Sequence, residues 1–212
     1  KPVSMIMNNP ITLLNRDLNR NTYTPSTYLA LMETVVQEGR TTGETQSEDL
    51  THYTKMNLHR LQRLNKTLLL DESLIRKVKA LQVPQTWYVI TEAWCGDAAQ
   101  NIPVFIKAAE HNPLIRVILL LRDENLDIMD QYLTSGSRSI PKVISIDENG
   151  NELFVWGPRP AAAQVLFTAY KENPQENFSE FIETVQRWYN QDKGKSVQME
   201  MESLLESVLQ EQ

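Results

Sequence analysis

The hydrophobic period of the chain changes at Pro84, and the pattern beyond that proline restricts the chain to a small set of folds. Residues 87–91 (Trp-Tyr-Val-Ile-Thr) are a β-rich run, residues 97–111 carry Ile102, Phe105, Ile106 and Ala109 at helical spacing, and Ile115–Leu121 is apolar except for Arg116. A nearly continuous apolar strand has to be buried on both faces, the condition of a strand covered by helices on each side. Two strands joined by a helix should lie parallel, with a right-handed crossover. Leu126, Met129 and Leu133 predict a short helix ending near Gly136. Residues 142–146 and 152–156, joined by Asp147-Glu148-Asn149-Gly150, predict a β-hairpin. The hairpin adds an antiparallel edge, so the expected class is α/β, with a mixed four-stranded sheet flanked by helices.

The flanks read as helical. Thr24-Pro25 is an N-cap followed by proline at the first helical position, and Tyr28, Leu31, Met32, Val35 and Val36 recur on one face up to a stop at Gly39. Ser47 opens a second helix with a stripe of Leu50, Tyr53, Leu61, Leu64 and Leu68, and Asp71-Glu72 opens a third through Leu74, Ile75, Val78 and Leu81. Beyond the sheet, Gly157-Pro158-Arg159-Pro160 breaks the chain, a helix resumes through Val165, Leu166 and Tyr170, and two more helices complete it. The expected division is residues 1–84 as an N-terminal helical extension, 85–173 as the α/β domain and 174–212 as a C-terminal helical extension packing on the core. Residues 51–82 hold seven basic and two acidic side chains, and residues 171–212 hold four basic and nine acidic ones. Oppositely charged helical extensions that pack together account for this.

With 41% hydrophobic and 23% charged residues, the composition is that of a folded globular protein. A formal charge of −6 argues against nucleic acid as a partner. No apolar run approaches the roughly 20 residues needed to span a bilayer, so no membrane span is expected. Residues 1–14, broken by Asn8, Asn9 and Pro10, lack the continuous apolar core of a secretory signal. A single cysteine excludes an intramolecular disulfide and fits a reducing compartment, the cytoplasm. His52, His59 and His111 have no metal-ligand spacing, so no metal or resident cofactor is expected. The oligomeric state is not legible.

That cysteine, Cys95, lies in Ala93-Trp94-Cys95-Gly96-Asp97-Ala98, between the first strand and the next helix. Unpaired N–H groups and the dipole at a helix N-terminus favour thiolate over thiol, so a depressed pKa is expected. Gly96 leaves the sulfur approachable and Trp94 supplies an apolar wall. The alternative is a buried structural cysteine.

Several residues together resemble the thioredoxin family. Trp94-Cys95-Gly96 precedes the active-site helix, Pro103 lies eight residues after Cys95 inside it, Ile140-Pro141 precedes the third strand, and Gly157 comes after the fourth. The resemblance covers about 90 of the 212 residues. It extends to bacterial proteins of the family with helical extensions, through Trp156-Gly157-Pro158-Arg159-Pro160 and Tyr189-Asn190-Gln191-Asp192-Lys193-Gly194. The resemblance implies a thioredoxin fold, a catalytic pair of Cys95 and a cis Pro141, and substrate contacts from Trp94, Gly96, Asp97, Ala98 and Ile140. It implies a protein disulfide or a small thiol as partner.

Two departures narrow this. The position of the family's second, resolving cysteine is Ala98, so the chain can make the first attack on a disulfide but not the second. A low-molecular-weight thiol is then the implied co-substrate, and the implied function is that of a monothiol thiol-disulfide exchanger. The other function class is a redox-inactive module that binds a protein in the groove around Trp94 and Pro141. The position six residues before Cys95, where the family commonly has a buried carboxylate, is Val89, and Glu92 and Asp97 are the nearest acids. Both are expected as ordinary strand-end and helix-start acids. Arg60 or Arg63 is a candidate anchor for the carboxylate of a small thiol, and Arg159 is expected to cap the sheet edge rather than to bind an anion.

Overall fold

A computed structural model describes residues 20–174 and 177–211. The expectation for residues 1–14 lies outside them. Helices α1 (Pro25–Gln37), α2 (Glu48–Thr67) and α3 (Glu72–Ala80) precede the sheet. Strand β1 (Gln85–Thr91), helix α4 (Gly96–Ala109), strand β2 (Ile115–Leu121), a short helix α5 (Leu126–Met129) and strands β3 (Lys142–Asp147) and β4 (Glu152–Trp156) form the α/β unit. Helices α6 (Ala161–Glu172), α7 (Phe178–Asp192) and α8 (Lys195–Gln210) close the chain.

The sheet has the order β2-β1-β3-β4, with β1 and β2 parallel and the other two pairs antiparallel. It is the mixed four-stranded sheet expected from the period change. Its centre is dry: Trp87, Leu119, Val143 and Phe105 are fully buried, and Phe105 packs edge-on to Trp87 with ring centroids 6.1 Å apart. Complete burial of such side chains contributes about 1.5–3 kcal/mol each. At the outer edge of β2, Tyr23 exchanges backbone hydrogen bonds with Leu119, which covers what would otherwise be an open strand edge.

Helix starts reflect local chemistry. Thr24 and Thr27 form a capping box with Pro25 in the first turn, and the Ser47 hydroxyl accepts from the Leu50 N–H. The charge asymmetry is used where α3 packs on α8: Lys77 pairs with Glu202 and Glu206 at 3.7 and 3.1 Å.

Three expectations fail in detail. The helix after β2 ends at Met129, because Ser135 and Gly136 take positive φ in a turn that pairs Thr134 with Ser137, leaving Leu133 exposed. The buried seam of α2 runs through Thr54, Asn57, Leu58 and Leu61; of the predicted stripe Leu61 and Leu68 are buried, while Leu50, Tyr53 and Leu64 are only half-buried. Val165 faces solvent, and Ala163 is the buried residue of α6.

Candidate functional site at Cys95

Cys95 is the N-cap of α4, and its Sγ accepts a hydrogen bond from the Ala98 N–H at 3.4 Å. The thiol in turn donates to the Ile140 carbonyl oxygen at 3.4 Å. The Ile140–Pro141 peptide is cis. Gly157, at φ +117°, lies against this loop so closely that a Cβ on it would stand 2.2 Å from the Pro141 oxygen. Only glycine fits there. The structure therefore brings Cys95, Ile140 and Pro141 together at one end of the sheet.

The expected thiolate is not what this environment favours. Cys95 is 7% exposed, and burial pushes its thiol up to about 12, with the negative charge of Asp97 acting in the same direction. The N–H of Ala98 and the Arg159 guanidinium pull the other way, as the helix-terminus argument requires, but the loss of water outweighs them. Helix α7 packs on the first turn of α4. Gln186 on that helix accepts from the Gln100 amide at 2.7 Å, and its own amide nitrogen lies 2.9 Å from where a Gly96 Cβ would be. Gly96 thus gives α7 room beside Cys95, which still lines a cavity.

Asp97 lies in the first turn of α4, as expected of a helix-start acid, and Arg159 departs from its predicted role by pairing with it. Arg159 donates from Nε and a terminal nitrogen to one Asp97 oxygen at 3.0 and 2.8 Å, and its guanidinium stacks 3.6 Å from the Phe167 ring centroid. The other Asp97 oxygen accepts from the Tyr189 hydroxyl at 2.6 Å, which accepts from Asn101 at 3.0 Å. Burial and the Asp97 charge hold Tyr189 well above the usual phenol range. Arg159 therefore ties the segment after β4 to the first turn of α4 and does not cap the sheet edge. Nothing local in the sequence marks this network.

Glu92 is not an ordinary strand-end acid. It is fully buried, accepts from the Thr42 hydroxyl and, at 2.9 Å, from the Asp123 N–H, and burial raises its pKa despite these donors. Val89 is buried in the sheet core as an apolar residue. Ala98, at the position of the missing sulfur, borders an internal gap shared with Tyr28, Met32 and Leu61 that is too narrow to admit water.

Above Cys95 lies a cavity of about 480 Å³. Trp94, Cys95 and Ile140 form its floor, Leu50 and Tyr53 one wall, and Phe167, Ile182 and Val185 the other. Leu50 and Tyr53, two of the residues that the sequence assigned to a core stripe, therefore face the site. Arg60, Arg122, Arg138 and Arg159 also line it, with Asp97 as the acid. Arg122 stacks 4.9 Å from the Trp94 centroid and pairs with Asp123, while Arg138 pairs with Asp130. Arg63, the other candidate anchor, instead donates to Asn190. Among the described residues there is no cluster of three or more His, Cys, Asp or Glu able to hold a metal, and no helix is long and apolar enough to cross a membrane.

A parallel β–α–β unit with an appended antiparallel hairpin, and a cysteine capping the first helix opposite a cis proline, define a thioredoxin-like protein. A thioredoxin family model matches residues 43–171, more than half of the chain, and the chain belongs to that family. A crystal structure of a protein of unknown function from Pseudomonas aeruginosa is similar over 87% of this chain and 98% of its own, at 17% identity and a TM-score of 0.53. An HIV epitope scaffold is similar over the same shares at 16% identity and a TM-score of 0.52. These two likenesses concern the fold alone. No curated protein sequence matches the chain.

Proposed function

We propose that this chain is a single-thiol member of the thioredoxin family, acting in a reducing compartment such as the cytoplasm and exchanging disulfides through Cys95. The observation that carries the reading is the hydrogen bond from the Cys95 thiol to the Ile140 oxygen, at the floor of a cavity large enough for a small molecule. In the forward step the Cys95 sulfur, having lost its proton to solvent, attacks one sulfur of a bound disulfide. A Cys95–substrate disulfide forms, and the other half leaves as a thiolate. With alanine at position 98, the mixed disulfide is resolved by a second molecule of a low-molecular-weight thiol. That thiol attacks the substrate sulfur and returns Cys95 as thiolate. Trp94 and Ile140 border the reacting sulfur, Pro141 orients the backbone that precedes it, and Gly96, Asp97 and Ala98 form the first turn beneath it.

The raised thiol sets a condition on this chemistry. Exchange is slow at neutral pH and accelerates about tenfold per pH unit while thiolate remains the minor form. The same burial favours a second reading, a redox-inactive binding module in which Cys95 is part of the floor. Incubation with an oxidised small thiol across pH 7–10, with intact mass as the readout, separates the two. A mixed disulfide on Cys95 whose rate rises with pH supports exchange. Absence of any adduct at pH 10, with Cys95→Ser binding partners as the native chain does, assigns the module.

A further inference from the structure

The cavity above Cys95 is apolar in its walls but not in its charge. Three of its four arginines are paired with carboxylates: Arg122 with Asp123, Arg138 with Asp130 and Arg159 with Asp97, at 2.8, 2.6 and 2.8 Å. Among the described residues, Arg60 has no carboxylate within ion-pair distance; it donates to the side-chain oxygen of Asn57 at 2.8 Å. Asn57 is fully buried and donates to the Ala93 carbonyl at 3.0 Å, so it fixes the guanidinium to the loop that leads into Cys95. A terminal nitrogen of Arg60 lies 3.9 Å from the place of a Gly96 Cβ, beside the first turn of α4. Burial and the neighbouring charge of Arg63 work against this guanidinium. A partly desolvated, pre-oriented cation without a counter-ion is costly unless an anion completes it.

We infer that the cavity binds a small amphipathic anion, with a carboxylate or sulfonate head on Arg60 and an apolar body between Trp94 and the α7 wall. The inference rests on reading the cavity as the ligand site of the proposed function and names the class its substrate belongs to. It does not require Cys95 to react. The volume suits a body of one or two rings or a medium aliphatic chain, and a charged head at one end gives the ligand a fixed direction over the sulfur.

The test compares two fluorescent probes on the full chain: 1-anilinonaphthalene-8-sulfonate and its uncharged analogue N-phenyl-1-naphthylamine, which share the apolar body. The anion should bind the native chain more tightly than the neutral probe. Arg60→Gln should weaken the anion about tenfold or more, the scale of a lost charged hydrogen bond, and leave the neutral probe unchanged. Arg60→Lys should recover part of the loss, and Arg63→Gln, which leaves the Arg60 contact in place, should weaken the anion far less than Arg60→Gln and leave the neutral probe unchanged. Equal affinity for the two probes, or an anion affinity indifferent to Arg60→Gln, overturns the inference and gives the cavity to an uncharged occupant. The native-chain ratio needs no variant, so an unfolded Arg60→Gln protein does not shelter the idea. Probe binding is equilibrium fluorescence with Cys95 reduced and no adduct formed, so a failure of thiol exchange and a failure of anion binding are read separately.

Discussion

The sheet core and the α6–α7 pair are both closed by aromatic side chains, yet they are built differently. In the first, Trp87 is fully buried between Phe105 and Phe154, and its indole N–H donates to Gln85, so even the polar atom is satisfied inside. In the second, four buried residues, Ala163, Phe181, Val185 and Tyr189, form a separate cluster under half-covered rings, with Tyr170 stacked on Phe181 at 4.1 Å and Phe178 59% exposed. The first core sets the fold. The second lines the cavity over Cys95, and it is joined to α4 by polar contacts at Asp97 and Gln100. Low burial and polar attachment are the marks of a region that opens below the global unfolding free energy.

The contrast is broken most directly at Trp87. Trp87→Ala should cost about 3–5 kcal/mol of global stability, read by denaturant unfolding, because a large buried ring is removed from a packed sheet. A loss under about 1 kcal/mol would mean the sheet core is not the stabilising centre.

Cys95 lies at the seam between the two regions, and alkaline pH tests that place. Its folded pKa of about 12 is above the ordinary thiol value of about 8.5, so the folded chain keeps a proton that the unfolded chain loses between those values. Its contribution is intact below about pH 8.5 and is lost as pH climbs toward 12. Denaturant midpoints should fall across that window for the native chain and fall less for Cys95→Ala. Parallel curves would remove the burial argument.

Phe181→Ala sharpens the contrast from the other side. It should lower the global midpoint less than Trp87→Ala while raising the alkylation rate of Cys95 at fixed pH about tenfold, as local opening becomes easier. An unchanged alkylation rate would separate α7 from the cover of the thiol. Asp97→Asn should shift the alkylation midpoint of Cys95 downward, since it removes the charge that opposes the thiolate and leaves Arg159 nearby; an upward shift would contradict the arrangement. Glu206→Gln, at a surface pair far from either aromatic cluster, should change stability by less than about 1 kcal/mol in a thermal melt.

Much of the sheet is legible in the sequence because its signals are local. Ile115–Leu121 is a strand buried on both faces except at the exposed Arg116 and the half-buried Ile118, much as its composition demands, and Thr24-Pro25 and Ser47 start helices where their side chains can cap. Cys95 at the strand–helix junction is legible for the same reason. The chemistry of the site is not, because it is assembled from distant segments: Arg159 and Tyr189 reach Asp97 across 62 and 92 residues. A helix terminus close to Cys95 argues for a thiolate, while the burial that outweighs it comes from segments distant in the chain, such as Tyr28, Met32 and Leu61. Leu50 and Tyr53 illustrate the limit of periodicity. It finds an apolar face on α2 but does not distinguish a face that meets a core from one that meets a cavity.

The gap beside Ala98 carries a consequence for how this chain can change. A sulfur added there has to find room against Tyr28 and Met32 on α1, and filling a site already closed to water costs about 1–3 kcal/mol in a packed interior. A single substitution at position 98 is thus penalised before any redox benefit accrues. Restoring a second sulfur should therefore depend on the residues that α1 presents to position 98 as well as on α4 itself.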